Sequence, residues 1–162
     1  MKTERTDYDY LIDMLIVLGY VTRERVANFR RKTPKGTSVV LHMLTKKVIT
    51  PTALTFTRAT HFNCEMVCLR KTMGQEIPDR VIATIPAAVA RKYRVIPLEK
   101  NEMGIKVAIS DPSDLATIDS LGHLLGTEIT LVVATENDIA WALNRFYPEN
   151  PKRQDWWRRG RK

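Results

Sequence analysis

The spacing of apolar positions changes character once along the chain. Through the first part the period is helical. Leu11, Met14, Leu15 and Leu18 share one face of a first helix beginning at Tyr10, and Gly19 suits its end. Thr22 is placed to cap a second helix with Val26 and Phe29 inward and Arg23, Arg25, Arg30 and Arg31 outward. Val40, Leu41 and Leu44 predict a third. Thr50 caps and Pro51 opens a fourth, with Ala53, Leu54 and Thr57 on its buried side. Val48-Ile49-Thr50-Pro51 repeats the pattern of Tyr20-Val21-Thr22-Arg23 at an offset of 28 residues. Two helix-turn-helix repeats of this kind predict a four-helix lobe, each pair covering the apolar face of the other.

Further on, runs with a period of two appear between helical stripes. Pro86 starts a short helix to Tyr93, and Arg94 to Leu98 reads as a strand. From Gly104 to Ser110 a second strand puts Ile105, Val107 and Ile109 on one side. Asp111-Pro112 stops it and starts a helix with Leu115, Ile118, Leu121 and Leu125 as the inward stripe, ended by Gly126. Glu128 to Val133 returns as a strand. Thr135 caps a last helix, with Asp138 three residues on in a variant of the capping box, and Ile139, Ala142, Leu143 and Phe146 inward. Two strands joined through a helix should lie parallel with a right-handed crossover.

The fold class is therefore α+β. A helical repeat lobe spans 1–70, a linker 71–84, and a lobe with a three-stranded sheet flanked by helices 85–148. A basic tail carrying Trp156-Trp157 fills 149–162, and residues 1–7 are polar and loose. His61 to Leu69 reads as an extended link.

Charge adds a partner class to this picture. The net +8 divides unevenly: residues 1–75 hold 13 Lys/Arg against 6 Asp/Glu, residues 76–148 hold 7 against 10, and residues 149–162 hold 6 against 2. Basic ends around an acidic middle point to an acidic partner, or to a solvated surface. Arg30, Arg31, Lys32 and Lys35, in a loop broken by Pro34 and Gly36, are the candidate partner-binding residues. No apolar run reaches the roughly 20 residues that span a bilayer, and Glu4, Asp7 and Asp9 do not suit a secretory leader. Cys64 and Cys68, the two cysteines, read as free thiols, with a cytoplasmic setting as the expectation.

Pro86 to Tyr147, with its Val107-Ala108-Ile109-Ser110-Asp111-Pro112 centre, resembles the second half of the N-terminal domain of bacterial type II secretion and type IV pilus extension ATPases. The duplicated helical unit resembles the first half of that domain. One branch of the family binds cyclic di-GMP through an Arg-Leu-Gly start in each repeat and a Gly before its second helix. Here Tyr10-Leu11-Ile12 and Ser38-Val39-Val40 stand at the starts, Gly19 is kept, and Lys47 replaces the second Gly. The resemblance implies a non-enzymatic regulatory or docking domain without its motor, bound to a protein of such a machine. A cyclic dinucleotide sensor is the alternative, with Leu11, Leu15, Gly19 and Leu44 as candidate ligand residues.

Other chemistry finds little support. The chain has no Gly-x-x-x-x-Gly-Lys-Ser/Thr loop, so ATP hydrolysis is not expected, nor a Gly-x-Ser-x-Gly elbow or a Gly-x-Gly-x-x-Gly turn. No catalytic residue, cofactor or metal is predicted. A metal reading would need His61, Cys64 and Cys68 with His42 or His123, an imperfect cluster against paired ligand spacings. Asp111 and Asp114 are explained by helix capping. Nucleic-acid binding is a further alternative, opposed by the lack of an Asn/Gln/Arg set aimed at base edges in the second helix of each repeat. The tail could meet a membrane only peripherally, weakly and in a salt-sensitive way.

Overall fold

The computed structural model describes residues 9–72 and 77–149. Expectations for residues 1–7, for 73–76 of the linker and for 150–162 with the Trp pair lie outside the described residues. The chain divides into two compact units, Met1–Asn63 and Cys64–Lys162.

Unit 1 holds α1 (Asp9–Val17), α2 (Arg23–Lys32), α3 (Val39–Thr45) and α4 (Pro51–His61). Helix α1 packs on α4, and α2 on α3. Leu11, Leu15, Val21, Val26, Val40, Met43, Ile49 and Leu54 form its core. Burying each Leu- or Ile-sized side chain contributes about 1.5–3 kcal/mol, which secures helices too short to persist alone. The inward face of α3 differs from the expected one: Met43 is buried and Leu41 is 53% exposed. Val40 and Met43, three apart, share a face, while Leu41 lies about 200° from Met43 around the helix. The two buried threonines of α4 are satisfied within the helix. Thr55 and Thr57 donate to the carbonyls of Pro51 and Ala53, at 2.9 and 2.8 Å.

Unit 2 runs β1 (Glu65–Met66), α5 (Leu69–Thr72), α6 (Asp79–Ile82), α7 (Ala87–Tyr93), β2 (Ile96–Asn101), β3 (Gly104–Ile109), α8 (Leu115–Leu125), β4 (Ile129–Val133) and α9 (Glu136–Phe146). The three expected strands form, and β1 joins them from the segment read as a link, giving the order β1-β4-β3-β2. Strand β4 is parallel to both β1 and β3, whereas β2 is antiparallel to β3. Two residues carry too little pattern for a period of two to register, so β1 is created by pairing with β4.

Strand β3 is buried on both faces: Val107 and Ala108 are both 0% exposed, although the spacing had suggested a half-buried strand. At the β2–β3 turn the Asn101 side chain accepts the N–H groups of Met103 and Gly104, at 2.9 and 3.0 Å. Helix α8 starts at Leu115, later than the Asp111-Pro112 start expected. Asp114 caps it, accepting Thr117 N–H at 3.1 Å, while Asp111 holds the preceding turn through Ser113 N–H at 3.1 Å. Leu115 is 65% exposed instead of inward. It lies about 120° around the helix from Leu121, the side chain that marks the core direction. Arg94, expected to begin a strand, takes a left-handed conformation (φ 53°) that closes α7, with Val95 N–H donating to Ala90 O at 3.0 Å.

Candidate functional site

The repeat in unit 1 is geometric as well as sequential. After α1, Tyr20 N–H donates to Leu15 O and Gly19 N–H to Ile16 O, with Gly19 at φ 78°. After α3, Val48 N–H donates to Met43 O and Lys47 N–H to Leu44 O, with Lys47 at φ 56°. These are the same paired end-bonds, 28 residues apart. The caps also repeat: Thr22 accepts Arg25 N–H at 3.3 Å, and Thr50 accepts Ala53 N–H at 3.1 Å.

The candidate ligand residues fall in different places on this frame. Leu11 and Leu15 are 0% exposed and belong to the core. Leu44 is half-buried against it, and Gly19 is exposed with open space where a side chain would project. Tyr10, at the start of the first repeat, stacks on His61 at 4.4 Å and meets Phe62 edge-on at 5.9 Å. Ser38, at the start of the second, is the N-cap of α3, yet its side chain makes no capping bond, and its Oγ is buried without a hydrogen-bond partner.

The candidate partner residues, by contrast, are gathered on one exposed turn. Arg30, Arg31 and Lys32 form the last turn of α2, where cations oppose the negative helix end. Lys35 follows in the second position of a tight turn, with Thr37 N–H donating to Pro34 O at 3.1 Å and Gly36 at φ 83°, as a type II turn requires. All four are exposed. Thr33 fixes the base of this turn. Its hydroxyl donates to Phe29 O at 2.7 Å and lies 2.9 Å from His42 Nδ1, while the His42 ring meets Phe29 edge-on at 5.5 Å. With its one hydrogen given to Phe29 O, the hydroxyl accepts from the imidazole N–H. Four cations thus project from a backbone already held in place.

Sequence reasoning missed two polar nodes in unit 2. Tyr147 is buried: its hydroxyl donates to Ile82 O at 2.8 Å, and its carbonyl accepts Arg91 Nε at 2.8 Å, tying α6 and α7 to the end of α9. Burial raises its phenol above the usual tyrosine range. Asp138, whose N–H donates to Thr135 at 3.1 Å, turns its carboxylate to Arg70 Nε at 3.1 Å. Each node joins residues more than 50 apart, beyond the reach of local spacing. Cys64 and Cys68 are not disulfide-bonded, and burial raises the Cys64 thiol. Among the described residues no group of three or more His, Cys, Asp or Glu is arranged to hold a metal ion. A shallow, open depression of about 290 Å³ lies beside α8, lined by Ile118, Asp119, Gly122, His123 and Ile129.

The fold defines a class. It superposes on MshE with cdg at a TM-score of 0.70, with 20% identity over 85% of this chain and 98% of that one. The N-terminal domain of XpsE gives 0.64, with 15% identity over 89% and 98%. This is the architecture of the N-terminal domains of secretion and pilus ATPases. The MshEN domain model matches residues 72–152, and the chain belongs to that family. The type IV pilus assembly ATPase PilB of Myxococcus xanthus is 39% identical over 72 residues, 44% of this chain and 12% of the relative. PilB of Thermus thermophilus is 30% identical over 76 residues, 46% of this chain and 8% of the relative. The chain therefore spans a small part of the curated relatives it matches, and the likeness is to their N-terminal domain rather than to the motor. No helix among the described residues is long and apolar enough to cross a membrane.

Proposed function

We propose that this chain is a non-enzymatic docking and regulatory domain that binds a protein component of a type IV pilus or type II secretion machine in the cytoplasm. The observation that carries the reading is the α2–α3 turn. Arg30, Arg31, Lys32 and Lys35 are exposed together on a turn anchored by Thr33, Phe29 and His42. A preorganised cluster of one sign steers an acidic partner and loses less entropy on contact than a loose loop would. Family membership supplies the kind of machine.

The test is charge reversal of all four residues to Glu, with binding to the purified motor ATPase and to its inner-membrane platform component measured by interferometry. Binding to one of them weakens tenfold or more, chiefly through slower association and with a reduced salt dependence. Unchanged affinity for both overturns the reading.

A second reading, a cyclic dinucleotide sensor, is favoured by the likeness to MshE, solved with cdg. Against it, Leu11 and Leu15 have no exposed surface, and Lys47 stands where a second glycine would allow close approach. Calorimetric titration with cyclic di-GMP decides: a saturable heat supports the sensor, and its absence at high micromolar concentration removes it.

A further inference from the structure

Within unit 2, β4 lies between β1 and β3 but is covered only in part. Strand β3 pairs with all five of its residues, Ile129 to Val133, whereas β1 pairs with Val132 and Val133 alone. In a parallel ladder the N–H and C=O of one residue point to the same side, and successive residues alternate. Ile105 N–H donates to Glu128 O and Ala134 N–H to Ile109 O, so residues 128, 130, 132 and 134 face β3. Ile129, Leu131 and Val133 face the other way, and Val133 O accepts Val67 N–H at 2.9 Å on that side. Beyond the end of β1, the Leu131 N–H and both backbone groups of Ile129 have no strand opposite them among the described residues. An open edge of this kind is a template for another extended segment.

The depression beside α8 adjoins that edge, since Ile129 lines it together with Ile118, Asp119, Gly122 and His123. A Cβ built on Gly122 meets nothing within 4 Å, so the floor of the hollow is open. A shallow hollow of this form suits one large side chain lying across it better than an enclosed small molecule. Its rim favours cations. Asp119 and Glu128 are exposed, and Gly122 and His123 belong to the last turn of α8, whose carbonyl end carries partial negative charge.

Duplex DNA or a bilayer has no peptide backbone to pair with the edge, so the occupant is a polypeptide segment. The chain holds one of the right chemistry in residues 150–162, with Trp156-Trp157 and 6 Lys/Arg against one Asp. In an extended segment Trp156 and Arg158 share a face, so an indole in the hollow sets a guanidinium on the side of Asp119. The segment also starts in the right place. Helix α9 follows β4 and buries Ile139, Ala142 and Leu143 in the core that holds Val132, so it runs back along the sheet. Its rise of about 16 Å matches the length of β4, about 17 Å, and returns the chain level with Ile129. Residues 150–155 then span up to about 20 Å before Trp156.

We propose that residues 150–162 cover the open edge of β4, pairing with the backbone of Ile129 and Leu131 and seating a tryptophan over Gly122. The cover shields an edge that would otherwise pair with another chain. It concerns unit 2 alone and does not rest on the α2–α3 turn.

The experiment is amide hydrogen exchange, resolved by residue, on the full chain and on two full-length variants, Trp156→Ala/Trp157→Ala and Gly122→Leu. The second fills the hollow and leaves both tryptophans in place. Thr130 and Val132, whose N–H groups face β3, report on the strand itself. The expected result is slow exchange at Leu131 in the parent and exchange about tenfold or more faster in each variant, with Thr130 and Val132 unchanged. Equal exchange at Leu131 in parent and variants overturns the proposal. So does loss of protection at Thr130 and Val132 as well, which would make the tryptophans part of the core, and so does protection of Leu131 that grows with protein concentration, which would make the occupant a second copy.

Discussion

Lys47 holds φ at 56° in the position where the first repeat has Gly19 at 78°. A side chain there costs about 1–2 kcal/mol of backbone strain, only part of which glycine's extra unfolded-state freedom offsets. Lys47→Gly is therefore expected to stabilise unit 1 by roughly 0.5–1 kcal/mol in urea unfolding. A loss of stability would mean that the lysine side chain makes compensating contacts. Gly104 presents the opposite case. A Cβ built there would lie 2.3 Å from Glu128 O, and that carbonyl accepts Ile105 N–H at 2.9 Å, so it cannot move aside without loosening the bond. Gly104→Ala should cost about 3 kcal/mol, read as a lowered urea midpoint. A drop below about 1 kcal/mol would show that the backbone yields easily.

At the scale of elements, Tyr147 ties the end of α9 to α6 and α7. Tyr147→Phe removes the bond to Ile82 O and should cost about 1 kcal/mol. The same residue gives a pH signature. Burial raises its folded-state pKa, so the neutral phenol is the form that folding favours. Its contribution is complete below the unfolded tyrosine value of about 10 and is lost as pH rises beyond it. Stability should fall more steeply above pH ~10 in the parent chain than in Tyr147→Phe. Parallel curves would show that another group governs the alkaline limb. Elements were legible where their signal was local. The Thr22, Thr50 and Thr135 caps and the α7 span ending at Tyr93 follow from neighbouring residues, and the parallel direction of β3 and β4 from the helix that joins them. The start of α8 was not, because Asp111 and Asp114 are both competent caps and Ser113 satisfies the first of them in a turn.

For the whole molecule, each unit has a core of its own: Leu11, Leu15 and Met43 in one, Val107, Leu121 and Ile139 in the other. Leu15→Ala should cost about 3 kcal/mol and lower hydrogen-exchange protection in residues 9–63 while leaving β3 unchanged. Loss of protection in both units would indicate a single cooperative fold. Of the candidate site, the basic turn could be read beforehand because Pro34 and Gly36 mark it. Its rigidity could not, since Thr33 and His42 meet across nine residues. The sequence by itself determined the helical repeat, most element boundaries and the uneven placement of charge along the chain, because periodicity, caps and net charge are properties of neighbouring residues or of simple counts. Only the tertiary structure decided that Leu11 and Leu15 are core, that β1 exists, and that it covers only part of β4. Burial and long-range pairing depend on which surfaces meet, and no local pattern encodes that.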